Sequence, residues 1–150
     1  MSTNNSFDYD LIILGGGSAG IVSGVMAGSL GLRVLLIEKR KMGGECLNTG
    51  CVPSKALIHA AKVARLMGRA GDIGLRAAPL DRSDASGVLR HVRDSIDTVR
   101  EADATEQLLR DAGVEIRIGE AHFQDEDTLL YEGQPLRADH FILATGSRPA

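Results

Sequence analysis

The sequence predicts an α/β fold: a parallel sheet with helices, plus small antiparallel strands toward its end. Three observations predict it. Two short, almost wholly apolar runs, 10–14 and 33–37, read as buried parallel strands. A helical stretch punctuated by glycine at both ends separates them. After Gly113 the pattern changes to short runs set between turn residues, as small strands require. The chain has 150 residues, 43% hydrophobic and 25% charged, with a net charge of −3, which describes one α/β domain. No apolar run reaches the roughly 18 residues of a membrane span. Mild acidity without a basic patch argues against nucleic-acid and membrane partners.

The first strand, Asp10-Leu11-Ile12-Ile13-Leu14, runs into Gly15-Gly16-Gly17-Ser18-Ala19-Gly20. A small-residue amphipathic helix is expected from there to about Leu30, with Gly31 as its C-cap. Gly15, Gly17 and Gly20 form a G-x-G-x-x-G fingerprint. Its glycines allow a tight turn, backbone approach to a pyrophosphate, and close helix–strand packing, in that order. The pyrophosphate would rest on the free N–H groups of the helix start. Glu38 ends the second strand 18 residues after Gly20, where an acid accepts from ribose hydroxyls and repels a 2′-phosphate. The motif by itself does not choose between FAD and NAD.

The only two cysteines, Cys46 and Cys51, lie five positions apart in Gly43-Gly44-Glu45-Cys46-Leu47-Asn48-Thr49-Gly50-Cys51-Val52-Pro53-Ser54-Lys55. On a regular helix such residues are about 7.5 Å apart along the axis. A disulfide needs Cα atoms within about 4.4–6.8 Å, so pairing requires the backbone to leave the helix between them. Asn48 and Gly50 are types that tolerate turns and positive φ. Pro53 suits the first turn of a helix, and the apolar spacing of Val52, Ala56, Leu57, Ala60, Val63 and Met67 continues it. Cys51 then lies at a helix N-terminus, where the dipole favours a thiolate. A redox couple, a structural disulfide and two unrelated buried cysteines all stay open from spacing. A metal site lacks further ligands. The polar N-terminus has no signal-peptide pattern, which suggests a cytoplasmic protein.

Residues 68–83, with Gly68, Gly71, Gly74, Pro79 and Asp81, read as a loop. A long helical excursion is expected over about 84–112, breaking near Asp103-Ala104, with Val88, Val92, Ile96 and Val99 on one face. Its charges, among them Arg90, Arg93, Asp97 and Arg100, read as a solvated face. Short strands follow at 114–118, 121–124, 129–131 and 139–144. The four histidines, His59, His91, His122 and His140, have no metal spacing and read as surface or packing residues.

The cysteine segment resembles the redox-active disulfide of the FAD-dependent pyridine nucleotide-disulfide oxidoreductases, the family of dihydrolipoamide dehydrogenase, mercuric reductase and glutathione reductase. Gly119-Glu120-Ala121-His122-Phe123 resembles the family's G-x-A-x-F strand, and Ala144-Thr145-Gly146-Ser147-Arg148-Pro149 its A-T-G-x-x-P turn. The resemblance covers essentially the whole chain. It implies a Rossmann-type FAD-binding domain, first segment, over 1–150, with a redox-disulfide helix at about 45–68. It also implies FAD as cofactor, held by Gly15, Gly17, Ser18, Ala19 and Gly20, by Glu38, Lys39, Gly44 and Glu45, and by Ala121, Ala144, Thr145 and Gly146.

The implied catalytic residues are Cys51 as the flavin-side thiol, Cys46 as the interchange thiol, and Lys55 near the flavin; lysines so placed are otherwise simply solvated. Electrons would pass from NAD(P)H through FAD to a Cys46–Cys51 disulfide and on to a small-molecule disulfide, dithiol or metal ion. The Pro-Ser-Lys sequence leans toward the dihydrolipoamide dehydrogenase and mercuric reductase branches. Glu45 departs from the Thr usual before the first cysteine, which puts a hydroxyl contact in doubt and would raise the thiol pKa. The family's nicotinamide and interface domains, with the homodimer they build, lie outside these 150 residues. A stand-alone dinucleotide-binding module and an inactive fragment are the alternative expectations.

Overall fold

The computed structural model describes residues 7–76 and 85–147. The chain divides into two compact units, Met1–Gly44 with Ala104–Ala150, and Glu45–Asp103.

The first unit is built on six strands. β1 (Tyr9–Leu14), β2 (Val34–Glu38) and β3 (Val114–Ile118) are followed by β4 (Ala121–Phe123), β5 (Thr128–Tyr131) and β6 (Gln134–Leu143). They lie in the order β3-β2-β1-β6-β5-β4. β3, β2, β1 and the second half of β6 are parallel, in a register that sets Ile12 beside Leu35 and Phe141. The first half of β6 turns back antiparallel to β5, and β5 to β4. β6 starts at Gln134, five residues before the strand expected from the sequence. Its polar Gln134 and Arg137 hide a hairpin arm, closed by Glu132 (φ 49°) and Gly133 (φ 79°), a two-residue turn with both φ values positive.

Alternation along the strands supplies a core on each face. Leu11, Ile13, Val34, Leu36 and Val114 pack with Ala27 of α1 (Ser18–Ser29) and Leu109 of α5 (Thr105–Asp111). On the other face Ile12, Leu35 and Ile37 meet Leu129 of β5 and Ala138 of β6. Within this unit, helices therefore cover one face and β-strands the other, not helices both.

α1 departs from the amphipathic expectation. It buries Gly20, Gly24 and Ala27, while Val22, Met26 and Leu30 face outward. The stripe Gly20, Gly24, Gly28 lies where a Cβ would strike the Gly15 carbonyl, a Leu109 methyl and the Ala112 carbonyl. Close approach, not side-chain hydrophobicity, sets this contact. Leu30 is the C-cap, and Gly31 follows it.

The second unit holds most of α2 (Gly44–Asn48), then α3 (Cys51–Gly68), a 3₁₀ turn (Ala70–Ile73) and α4 (Ser86–Ala102). α3 packs on α4. Part of the expected loop is thus a 3₁₀ turn, and Pro79, Asp81 and Asp84 lie outside the described residues. The segment 84–112 is two helices parted at Asp103-Ala104, and the two belong to different units.

Candidate dinucleotide and dithiol sites

The fingerprint sits in the first unit between β1 and α1. Gly15 has φ 110°, and a Cβ there would overlap the Ala144 carbonyl oxygen. Ala144 in turn donates its N–H to the Leu14 carbonyl at 2.8 Å, so the Ala144-Thr145 turn is seated on the fingerprint. Gly17 behaves differently. Its backbone (φ −84°, ψ −173°) suits any residue, and a Cβ would meet only the Gly44 Cα, at an ordinary 3.7 Å. Nothing inside the unit requires glycine there; an approaching ligand would. α1 begins with no side-chain cap, leaving the first-turn N–H groups of Ser18, Ala19 and Gly20 directed out of the helix start. That is the donor set an anion takes.

The residues after β2 lie against this turn. The Gly43 N–H donates to the Gly16 carbonyl at 2.9 Å, and the Met42 sulfur occupies the space beside Gly16. Gly44, at φ 56°, comes so near that a Cβ on it would stand 2.7 Å from the Gly17 Cα. Glu38 completes the clamp: its Oε2 accepts from the Gly16 N–H at 2.7 Å and its Oε1 from the Arg40 N–H at 2.8 Å. The carboxylate expected to accept from ribose thus also fixes the fingerprint; each oxygen keeps a lone pair for a ligand hydroxyl.

A cavity of about 190 Å³ opens beside Glu38, at the carboxyl ends of β1 and β2. Gly15, Glu38, Lys39, Ala121 and Thr145 line it, together with Leu14, Ile37, Gly119, Glu120 and His122. Pockets that bury a drug-sized ligand run to about 300–1,000 Å³, so this one fits one end of a dinucleotide. A crevice outside the carboxyl ends of parallel strands is where such sheets take ligands. Lys39 Nζ pairs with Glu120 Oε1 at 2.6 Å, and that contact holds the Glu120 carboxyl below its ordinary range, with His122 a smaller contributor.

His122 is a surface residue, its side chain 76% exposed, and it also borders the cavity, 3.7 Å from Glu120. The signal for Glu120 and His122 was their position on either side of Ala121. Gly146 has φ 72°, and a Cβ there would meet none of the described residues within 4 Å; Arg148 and Pro149 fall outside those residues.

The dithiol belongs to the second unit. α2 closes with the Glu45 carbonyl accepting from both Thr49 N–H (2.9 Å) and Gly50 N–H (2.6 Å). The chain turns at Gly50 and re-enters a helix at Cys51, with Pro53 in the first turn. Gly50 does not use the expected positive φ. Its torsions are −113° and −98°, and a Cβ would stand 3.0 Å from the Glu45 carbonyl oxygen. Asn48 is helical, the last residue of α2.

Both cysteines are exposed free thiols. The Cys46 S–H is held on Cys51, which pushes Cys46 above the ordinary thiol range; desolvation and negative charge at Cys51 add to this, and Lys55 opposes it. The leading cause is therefore the partner thiol and not the Glu45 carboxylate. Lys55 follows Cys51 by four residues, one helical turn, on α3.

Known proteins are similar to this sequence. It is 38% identical to dihydrolipoyl dehydrogenase 3 of Haloarcula marismortui, over 93% of this chain and 30% of that one. Dihydrolipoyl dehydrogenase 2 of the same organism is 40% identical, again over 93% and 30%. A mercuric reductase of Bacillus cereus is 32% identical, over 98% of this chain and 23% of its own length. The chain spans less than a third of these relatives. The family described as pyridine nucleotide-disulphide oxidoreductase matches residues 9–150, a span that takes in the fingerprint, the glycine connector and the thiol pair. The chain belongs to the pyridine nucleotide-disulphide oxidoreductase family.

Proposed function

We propose that this chain is the FAD-binding part of an NAD(P)H-linked flavoprotein that moves electron pairs between FAD and a Cys46–Cys51 disulfide, in the manner of a dihydrolipoamide dehydrogenase or mercuric reductase. The observation that carries the reading is the thiol pair, Cys46 held on Cys51 at the start of α3. Family members are FAD-dependent and use NAD(P)H. Bound FAD would supply the hydride acceptor that connects a nicotinamide donor to a dithiol.

The chain's own residues divide the remaining work. Ser18, Ala19 and Gly20 offer N–H groups to the pyrophosphate, with Gly17 leaving room for it. The cavity beside Glu38, Lys39 and Ala121 takes the adenosine end, and Glu38 accepts from ribose hydroxyls. Gly44 serves by letting the connector press on the fingerprint. Thr145 lines the same cavity, and Gly146 closes the turn after it. Glu45 contributes its carbonyl to the dithiol turn.

In the couple, the Cys46–Cys51 bond gains two electrons and two protons and becomes two thiols. The Cys46 thiolate then attacks a substrate disulfide and releases one thiol. Cys51 attacks the mixed disulfide at Cys46, releasing the second thiol and restoring the bond. With a dithiol substrate the sequence runs in reverse. Lys55 keeps a positive charge near the pair, which favours thiolate.

The substrate class is a small disulfide, dithiol or metal ion. The assembly is a homodimer, supported by apolar residues left exposed on the second unit, among them Ile58 (66%) and Leu66 (61%). A cytoplasmic location suits a couple that must be re-reduced; no described helix is long and apolar enough to cross a membrane.

Titration of the chain with FAD, read by flavin fluorescence, tests the cofactor reading. Saturable one-to-one quenching is expected, and Gly17→Val should abolish it without unfolding the unit. Equal affinity in the variant removes the pyrophosphate from the fingerprint.

A further inference from the structure

The two thiols stand on separate helices, α2 and α3, joined only by Thr49 and Gly50. Whatever fixes that joint fixes how near the sulfurs stay. One fixing contact comes from far along the chain. Asn48, the last residue of α2, accepts at Oδ1 from Arg100 Nη2 of α4 at 3.0 Å, across 52 residues. The Arg100 Nη1 is paired with Asp97 Oδ1 at 2.5 Å, so the guanidinium is held from two sides. Its Nε is buried and has no hydrogen-bond partner among the described residues.

An unpartnered buried N–H is left with its full desolvation cost, and an arginine on a solvated face escapes that cost by swinging outward. Arg90 and Arg93 of the same helix are exposed. Arg100 does not escape; its two other contacts hold it. The solvated-face reading fails for this one charge.

We infer that Arg100 is a positioning residue for the Cys46–Cys51 couple: through Asn48 it ties the α2–α3 joint to α4 and keeps the two sulfurs at pairing distance. The inference rests on the proposed redox role of the thiols. Without the tie, the joint loosens and the effective concentration of one thiol at the other falls. The disulfide then becomes easier to reduce. The hold of Cys51 on the Cys46 S–H weakens too, so Cys46 titrates closer to an ordinary cysteine.

The test is equilibration of the chain in mixtures of reduced and oxidised glutathione, trapped by alkylation and weighed. Each molecule of oxidised glutathione takes two electrons and two protons from the dithiol, leaving the protein disulfide and two glutathione thiols. Arg100→Ala should lower the equilibrium constant for the protein disulfide about tenfold, the size of one charge-assisted hydrogen bond. It should also move the pH profile of Cys46 alkylation to lower pH. Asn48→Ala should do the same, and the double variant should add nothing further. Arg100→Lys, which keeps the charge but not the fork, should recover part of the loss.

Unchanged equilibrium and pH profile in both single variants overturn the role of Arg100, as do fully additive effects. Failure of the unaltered chain to form the Cys46–Cys51 disulfide at any glutathione ratio overturns the redox reading itself, and the Arg100 inference with it.

Discussion

The two units solve the burial problem in opposite ways. Of the 13 buried apolar residues among those described, 12 belong to the first unit and only Leu47 to the second. The first unit has strands apolar on both faces, and it covers them with α1 and α5 on one side and β5 and β6 on the other. The second pairs α3 with α4 and leaves Leu57, Ile58, Leu66 and Leu89 largely exposed. The nucleotide fingerprint thus stands on a unit with its own core. The thiols stand on one whose internal packing is thin, and there single polar ties such as Arg100 to Asn48 carry more of the positioning.

Truncating one leucine in each unit gives the widest contrast. Leu109 of α5 is fully buried against α1 and the sheet. Leu109→Ala should cost about 2.7–5 kcal/mol in denaturant unfolding. Leu66 of α3 is 61% exposed, and Leu66→Ala should stay within about 0.5 kcal/mol. Similar losses in the two would mean that the exposed face of α3 is covered in solution, and the contrast between the units would fall.

A glycine pair sharpens the same point with a smaller effect. A Cβ on Gly24 would come 2.8 Å from the Leu109 Cδ2, inside a packed contact. Gly24→Ala should therefore cost about 1–3 kcal/mol, against a helix propensity that favours alanine. Gly87 in α4 has nothing among the described residues within 4 Å of its Cβ position. Gly87→Ala should stabilise by about 0.4–1 kcal/mol through the unfolded chain alone. Opposite signs are the expected outcome; a destabilising Gly87→Ala would show a neighbour on α4 that this unit lacks.

What the sequence disclosed follows the same division. The parallel strands were legible because residues such as Leu35 and Leu36 of β2 are buried on both faces, so the run is continuous and hydrophobic. The break before Cys51 was legible from cysteine spacing and glycine chemistry. The hairpin arm Gln134–Arg137 was not, because one of its faces is wet and its residues read as turn. α1 misled for a related reason: a helix that packs by glycine has no apolar stripe to reveal it. Arg100 carries no local signal at all. Its partner Asn48 becomes informative only once the chain has folded, because the contact crosses 52 residues.

The polar contacts differ between the units as the cores do, and the smallest expected effect lies there. In the second unit they stay on one helix or turn, as with Arg69–Asp72 and Arg100–Asp97, or reach a neighbouring helix through Asn48. In the first unit Tyr9 of β1 donates to Glu115 Oε2 at 2.7 Å and accepts from Arg117 Nη2 at 3.0 Å, joining β1 to β3 across β2. Arg117 Nε closes the ring on Glu115 Oε1 at 2.8 Å. Burial, the Glu115 acceptor and its charge push the Tyr9 phenol up from 10.0 to about 12, while Arg117 pulls the other way.

A raised pKa means that the neutral phenol favours the fold. Its contribution is complete below pH 10 and is lost as pH climbs from there through about 12. Partial exposure keeps the effect within about 1 kcal/mol. An ultraviolet titration should place one tyrosine near pH 12, absent in Tyr9→Phe, and that variant should lose stability less steeply over the same interval. An alkaline slope equal in both chains would remove the strand-spanning ring from the first unit's stability and leave its apolar core as the whole difference between the two units.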